Sequence, residues 1–170
     1  MSVKLELYQA VKAKLQTLTF IENVLHYNGQ DLNNYQQEKA MRFPQAWIQI
    51  SNVTWKPSSQ QSDNLNRTQQ QKSEVVALTI YYASEINLND DTDTFEDHLT
   101  AIDLIYRALT MMETDNINPL QRVSEDDIPN NENVRIWSQT FTTMLTEQAV
   151  SKTDINSSPV TLTLNKNILP

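Results

Sequence analysis

Cysteine and glycine are the scarcest residues of this 170-residue chain, which contains no cysteine and a single glycine, Gly29. Average usage near 7% would give about twelve glycines. Neither a Walker loop nor a dinucleotide-binding fingerprint can be written with one glycine, because both motifs need several. The absence of cysteine excludes a disulfide framework, a thiolate metal site and a cysteine nucleophile.

Basic clusters and long apolar runs are missing as well. The 13 Lys and Arg residues are scattered among 21 Asp and Glu residues, and the net charge is −8. A nonspecific nucleic-acid binder normally presents a basic face, so the charge disfavours that class. No stretch approaches the roughly 20 apolar residues of a membrane span. The opening segment MSVKLELYQA has no apolar core, and we do not expect it to be a secretory signal.

Two segments carry apolar residues at spacings of three and four, which predicts two amphipathic helices. The first stripe consists of Leu7, Tyr8, Val11, Leu15 and Leu18, and Ser2 is its expected N-cap. The second stripe consists of Leu99, Ile102, Ile105, Tyr106, Leu109 and Met112. Asp93 or Thr94 is the expected N-cap of the second helix, since Glu96 follows Asp93 at the spacing of a capping box.

Strand composition recurs between and after these helices. The predicted strands are residues 20–27, 45–57, 75–83, 134–147 and 159–167. Asn28-Gly29 predicts a two-residue hairpin turn, with residues 30–37 as the partner strand. The segment SEDDIPNNEN, residues 124–133, predicts an acidic, turn-rich link.

The order of these elements predicts an α+β fold: a mostly antiparallel sheet with two helices packed on it and a long protruding β-hairpin arm. We expect one domain over residues 1–170, with the polar arm at 56–74 and a C-terminal extension at 150–170. Leu65 is the only aliphatic residue of the arm. The arm therefore cannot bury enough apolar surface to be fixed on its own domain.

Candidate catalytic and metal-binding groups have simpler interpretations. The acidic cluster formed by Asp90, Asp91, Asp93, Glu96 and Asp97 surrounds the start of the second helix, beside His98. Phe95 stands where a calcium loop starting at Asp90 needs glycine, so we interpret the cluster and His98 as a solvated helix cap. Composition alone does not exclude a Ser-His-Asp triad, but no G-x-S-x-G elbow positions one. We expect no catalytic residue, no cofactor and no metal site, and hence no enzyme.

Three segments of the chain have a recognisable order. They are WIQISNVTW with VALTIYYA, then DHLTAIDLIYRAL, then NPLQRVSEDDIPNNENVRIWSQTFTTML. Together, over about residues 3–147, they resemble tail-completion and tail-terminator proteins of long-tailed bacteriophages and prophages. The resemblance implies a ring of identical subunits, commonly a hexamer, which ends the tail tube and presents a surface to the neck. It also implies a virion protein assembled in the bacterial cytoplasm, with tail-tube and neck proteins as partners and DNA passing through the lumen.

The arm and the C-terminal extension are the expected partner-binding segments, because long arms and edge strands supply contacts by β-augmentation. The candidate contact residues are Lys56, Leu65, Arg67, Lys72, Val160, Leu162 and Leu164. Two alternatives remain open at the level of the sequence. One is another head-tail connector or an adaptor of a contractile injection system, and the other is a small soluble enzyme.

Overall fold

The computed structural model describes residues 2–29, 43–57, 70–73, 75–85, 91–110, 112, 114–128 and 134–148. These residues form two helices and eight strands. The helices are α1 (Val3–Gln16) and α2 (Asp91–Thr110). The strands are β1 (Asn23–His26), β2 (Gln45–Ile50), β3 (Trp55–Pro57), β4 (Gln70–Ser73), β5 (Val76–Glu85), β6 (Gln121–Ile128), β7 (Val134–Thr143) and β8 (Thr146–Gln148).

Five strands form the main sheet in the order β1-β2-β5-β7-β6. Every neighbouring pair is antiparallel except β1 and β2, which are parallel. This architecture confirms the predicted α+β class with a mostly antiparallel sheet. The long protruding arm is not confirmed, because β3 and β4 pair over only three residues and residues 58–69 lie outside the described part of the chain.

The core lies between one face of the main sheet and the two helices. α1 buries Val3, Leu7, Val11 and Leu15, which recur every four residues and so form one stripe. From the sheet, the cross-strand pair Ile48 and Ile80 enters the same cluster. Ser2 occupies the predicted N-cap position of α1, although its side chain makes no capping hydrogen bond.

α2 differs from its predicted start and from its predicted buried face. It begins at Asp91, two residues before the predicted cap. Leu99, predicted in the core, is 40% exposed, and the buried face instead carries His98, Ala101, Ile102, Ile105 and Leu109. The predicted solvated cap role of His98 is therefore wrong, since this side chain is 2% exposed. A hydrogen bond to Ser84 on β5 gives the imidazole a polar partner inside the core.

The predicted strand at 45–57 is divided between two sheets. Ser51 interrupts it, because its hydroxyl accepts a hydrogen bond of 3.0 Å from the backbone N–H of Ala77, replacing a ladder carbonyl. After this break, the odd-numbered side chains point to the opposite face of the sheet. Trp47 packs in a small cluster on the far face of the sheet, whereas Trp55 packs against the main core.

Two predicted turns also need correction or qualification. Residues 124–128 of the predicted acidic link belong to strand β6, not to a turn. Gly29 has the positive φ of 77° that favours glycine in a turn. Its predicted hairpin partner, residues 30–37, lies outside the described residues, and the described neighbour of β1 is β2.

The small three-stranded sheet, in the order β3-β4-β8, continues the three central strands of the main sheet. Two residues separate β4 from β5, and two separate β7 from β8. Hydrogen bonds close this junction: the backbone N–H of Ser73 donates to the Leu145 carbonyl over 2.8 Å, and the Leu145 N–H donates to the Ser73 hydroxyl over 2.7 Å. The junction is buried, because Ser73 is 5% exposed and Leu145 is 0% exposed.

Candidate interaction surface

Strand β6 forms one edge of the main sheet and is the most exposed strand of that sheet. Seven of its eight residues are exposed, and Ile128 is intermediate. On one side it pairs with β7, with a bulge between Arg122 and Ser124. Among the strands that the structure describes, none pairs with its outer edge, which presents backbone N–H and C=O groups that another strand can pair with. Val123, at the bulge, is 59% exposed.

An arginine anchors the beginning of β6 to α2. The Arg122 guanidinium lies 4.0 Å from the centre of the Tyr106 ring and forms an ion pair with Glu125. Gln139 also donates a hydrogen bond of 3.3 Å to the same Glu125 oxygen. These contacts fix the side of β6 that faces the helix, since a guanidinium over an aromatic face is attracted by the ring quadrupole.

A second arginine anchors the end of β6 in the same way. Arg135 on β7 donates a hydrogen bond of 2.9 Å to the carboxylate of Asp127, and its guanidinium lies 4.6 Å from the centre of the Phe95 ring. The acidic composition of this segment is therefore compatible with a strand. Two of its three carboxylates, Glu125 and Asp127, pair with arginines on the helix side.

The opposite face of the sheet is polar beside the middle of β6. Register places Ser124 opposite Thr140 and Asp126 opposite Ser138 on this face. Further along the same face, the hydroxyls of Thr79 and Thr140 lie 3.1 Å apart and share a hydrogen bond. The surface next to the β6 edge therefore has an aromatic, ion-paired side toward α2 and a hydroxyl-rich side away from it.

A buried polar cluster lies beneath the start of α2. Nδ1 of His98 and the hydroxyl of Ser84 share a hydrogen bond, and the Tyr82 ring lies 5.3 Å from the imidazole, centre to centre. Burial, together with the Arg135 charge, lowers the pKa of His98 to about 4, although the Asp127 charge raises it. Burial also raises the pKa of Tyr82 to about 12.

This serine–histidine pair is not placed for nucleophilic catalysis. Ser84 is 8% exposed and His98 is 2% exposed, so neither side chain meets the surface where a substrate would bind. Within the described residues, Nε2 of His98 has no hydrogen-bond partner that could orient the ring as a general base. The arrangement instead ties α2 to β5.

The described part of the chain contains no group of three or more His, Cys, Asp or Glu side chains that could hold a metal ion. Asp90, from the predicted helix-cap cluster, lies outside that part. Neither α1 nor α2, the two described helices, has the length and apolar character needed to cross a membrane.

The predicted contact residues divide into two groups. Lys56 lies on β3 and Lys72 lies on β4, and the register places these two residues directly opposite each other. The remaining predicted contacts lie outside the described residues: Leu65, Arg67, Val160, Leu162 and Leu164.

The exposed edge of β6 was missed from the sequence. Its signal was present, because Arg122 and Arg135 flank the acidic residues on both sides in the chain. Opposite charges at such positions can pair across adjacent strands, as Arg135 and Asp127 do here.

Comparison with known proteins finds remote likeness among solved structures. No family model matches the sequence, and no curated protein matches it. Among solved structures, the fold is similar to a chain of the virion of a native gene transfer agent particle. The two chains are 11% identical, the match covers 82% of this chain and 91% of that chain, and the TM-score is 0.41. So remote a likeness carries no argument about the function of this chain.

Proposed function

We propose that this chain is a structural protein of a bacteriophage virion, which forms a ring at the junction of tail and neck. The ring ends the tail tube and joins it to the head. Its subunits are copies of this chain, and its neighbours are tail-tube and neck proteins. The subunits assemble in the bacterial cytoplasm, and DNA passes through the lumen of the ring.

The observation that carries the proposal is the exposed outer edge of β6. A closed ring is held by heterologous contacts, in which one surface of a subunit binds a different surface of the next. An eight-residue strand whose outer edge pairs with no strand of the described residues is such a surface, because a segment of the neighbouring subunit can add to it as a further strand. The polar arm and the C-terminal extension are the candidate complementary segments.

The resemblance to tail-terminator proteins agrees with the arrangement of these elements. Its first segments fall on β2, β3 and β5, its helical segment falls on α2, and its last segment covers β6 and β7. Apart from β3, these elements lie in the main sheet and the helix packed on it. The motifs that carry the resemblance therefore belong to one structural unit.

Charge and burial support a structural role over a catalytic one. The net charge of −8 suits a lumen through which DNA passes, since like charge discourages adhesion. The hydrogen-bonded Ser84 and His98 are buried in the helix–sheet interface, so they serve the packing of α2.

Native mass spectrometry of the purified chain tests the ring. We expect a closed oligomer of identical subunits, visible as a ring by electron microscopy. A protein that stays monomeric at all concentrations, with and without purified tail tubes, contradicts the proposal. Cryo-electron microscopy of the phage particle then tests the location, and a ring found elsewhere in the neck would assign a connector role instead.

A variant with a shortened arm tests the contribution of the arm. Residues 70–73 must be kept, because β4 pairs with both β3 and β8. Replacing residues 59–69 by Asn-Gly leaves a two-residue turn between positions 58 and 70, in the register set by Pro57 and Gln71. We expect an unchanged melting temperature and a loss of rings.

Paired substitutions within the arm test the individual contacts. L65S/R67Q should reduce ring formation, whereas Q60A/Q61A, in the same arm, should not. Normal rings from both the shortened variant and L65S/R67Q would remove the arm from the interface.

A further inference from the structure

The outer edge of β6 is flanked by an apolar strip on α2. Phe95 and Tyr106 contact the arginines that pair with carboxylates of β6, so both rings lie on the side of α2 next to that strand. At about 100° per residue, Leu99 projects within roughly 40° of Phe95 and so lies in the same strip. Leu99 is 40% exposed. An added strand could cover this side chain.

An added strand must match two unlike sides of the sheet at this edge. On the α2 side it meets the strip of Phe95, Leu99 and Tyr106. On the other side it continues the hydroxyl-rich face that carries Ser124 and Thr140. Its side chains must therefore alternate between apolar residues and small polar residues.

The sequence contains a segment with this alternation. Residues 160–164 read Val-Thr-Leu-Thr-Leu, with apolar residues at even positions and threonine at odd positions. In an extended strand, alternate side chains point to opposite faces. The apolar residues would cover the α2 strip, and the threonines would extend the hydroxyl-rich face. Pro159, which cannot donate to a ladder, precedes the segment where a strand can begin.

The reach of the chain favours a neighbouring copy as the donor. An antiparallel strand on β6 starts near Ile128, which pairs with Ile136. Gln148, the last residue of β8, lies twelve residues beyond Ile136, or about 40 Å at the rise of a strand. The twelve residue steps from Gln148 to Val160 span at most roughly 40–43 Å when fully extended. This leaves almost nothing for the turn back toward β6, whereas a neighbouring copy has no such limit.

We propose that residues 160–164 of one copy add as an antiparallel strand to the outer edge of β6 in a neighbouring copy. The apolar side chains of this strand cover Leu99 and the rings beside it. This inference rests on the proposed ring and names its subunit contact. β6 is then the acceptor and the C-terminal extension is the donor.

Disulfide cross-linking tests the contact, because the chain has no cysteine of its own. Purified S124C chains are mixed with T161C or T163C chains, assembled and oxidised. We expect cross-linked chain pairs in these mixtures and only background in the control mixture with L162C, whose side chain points to the other face. Cross-links confined to single chains of the double variant S124C/T163C, with none in the mixtures, would overturn donation by a neighbour.

Assembly of variants of the C-terminal extension tests this contact separately from the ring itself. L162S/L164S should lose the ring while keeping the melting temperature of the subunit, and T161S/T163S should keep both. If wild-type rings form and L162S/L164S rings are equally abundant, the β6 contact is wrong and the ring stands. If wild-type chains form no ring but the cross-links appear, the contact stands and the ring fails.

Discussion

The imidazole of His98 on α2 and the hydroxyl of Ser84 on β5 share a hydrogen bond inside the helix–sheet interface. The Trp137 ring, 6.2 Å from the imidazole, covers it from β7. The imidazole is therefore held in a site that disfavours its charged form, because a buried cation loses its hydration. The stability of the fold should consequently depend on pH through this residue.

Acidification should destabilise the protein through His98. Its pKa falls from 6.5 to about 4 on folding, so the unfolded chain binds the proton more readily. The stabilisation by neutral His98 is complete above pH 6.5 and is lost as the pH falls toward 4. At roughly 1.4 kcal/mol per pKa unit, it contributes about 3 kcal/mol to the free energy of unfolding. Urea unfolding between pH 7 and pH 4 measures it.

The control for this experiment is the other histidine. H98Q should lack this component of the pH dependence, whereas H26Q, altered at an exposed residue, should retain it. If the free energy of unfolding depended on pH equally in H98Q and in the wild-type chain, His98 would not be the source of this component.

The charges facing His98 should shift its pKa in opposite directions. Arg135 lowers this pKa and Asp127 raises it. R135Q should therefore raise the pKa of His98, and D127N should lower it further. An NMR titration of the imidazole protons measures both shifts. R107Q, which removes a guanidinium paired with Asp103 on the exposed side of α2, should leave the titration unchanged.

Substitution by alanine should lower the stability of the fold to very different extents at two adjacent residues of α2. Ile105 is 1% exposed, and I105A should destabilise the fold by about 2–5 kcal/mol because it leaves a cavity in the core. Leu104 is 40% exposed, and L104A should change the stability by about 0.5 kcal/mol or less. Thermal or urea unfolding compares the two. Similar losses for both variants would mean that α2 packs through a different face.

The buried face of α2 shows what the spacing of apolar residues alone does not predict. Ile102, Ile105 and Leu109 were predicted in the core, and each is buried. Leu99 and His98 lie three and four residues before Ile102, so both spacings fit a helical stripe equally well. Hydropathy favours leucine for the buried position. The structure buries histidine because Ser84, fourteen residues earlier in the chain, supplies its hydrogen bond, and spacing alone does not reveal that contact.

Strand β6 shows why the candidate interface was not predicted. Its run of Ser124, Glu125, Asp126 and Asp127 has the composition of a turn, since acidic residues are depleted in strands. The strand forms because β7 offers a full ladder and because two arginines pair with its carboxylates. These partners come from positions that only the fold brings together. By contrast, the continuous apolar run of β5 predicted its central place in the sheet, where it pairs with both β2 and β7.

The junction between the two sheets determines how the subunit carries force. Besides the bonds between Ser73 and Leu145, it is braced from the side, where Asn118 N–H donates to the Met144 carbonyl over 3.0 Å and Thr146 N–H donates to the Asn116 carbonyl over 2.9 Å. A pull on the small sheet therefore reaches β5 and β7 at the same end of the main sheet, where these strands, joined by ten residue pairs, carry the load together. Since the small sheet shares its strands' course with the main sheet, a torque applied to the small sheet should turn the main sheet with it.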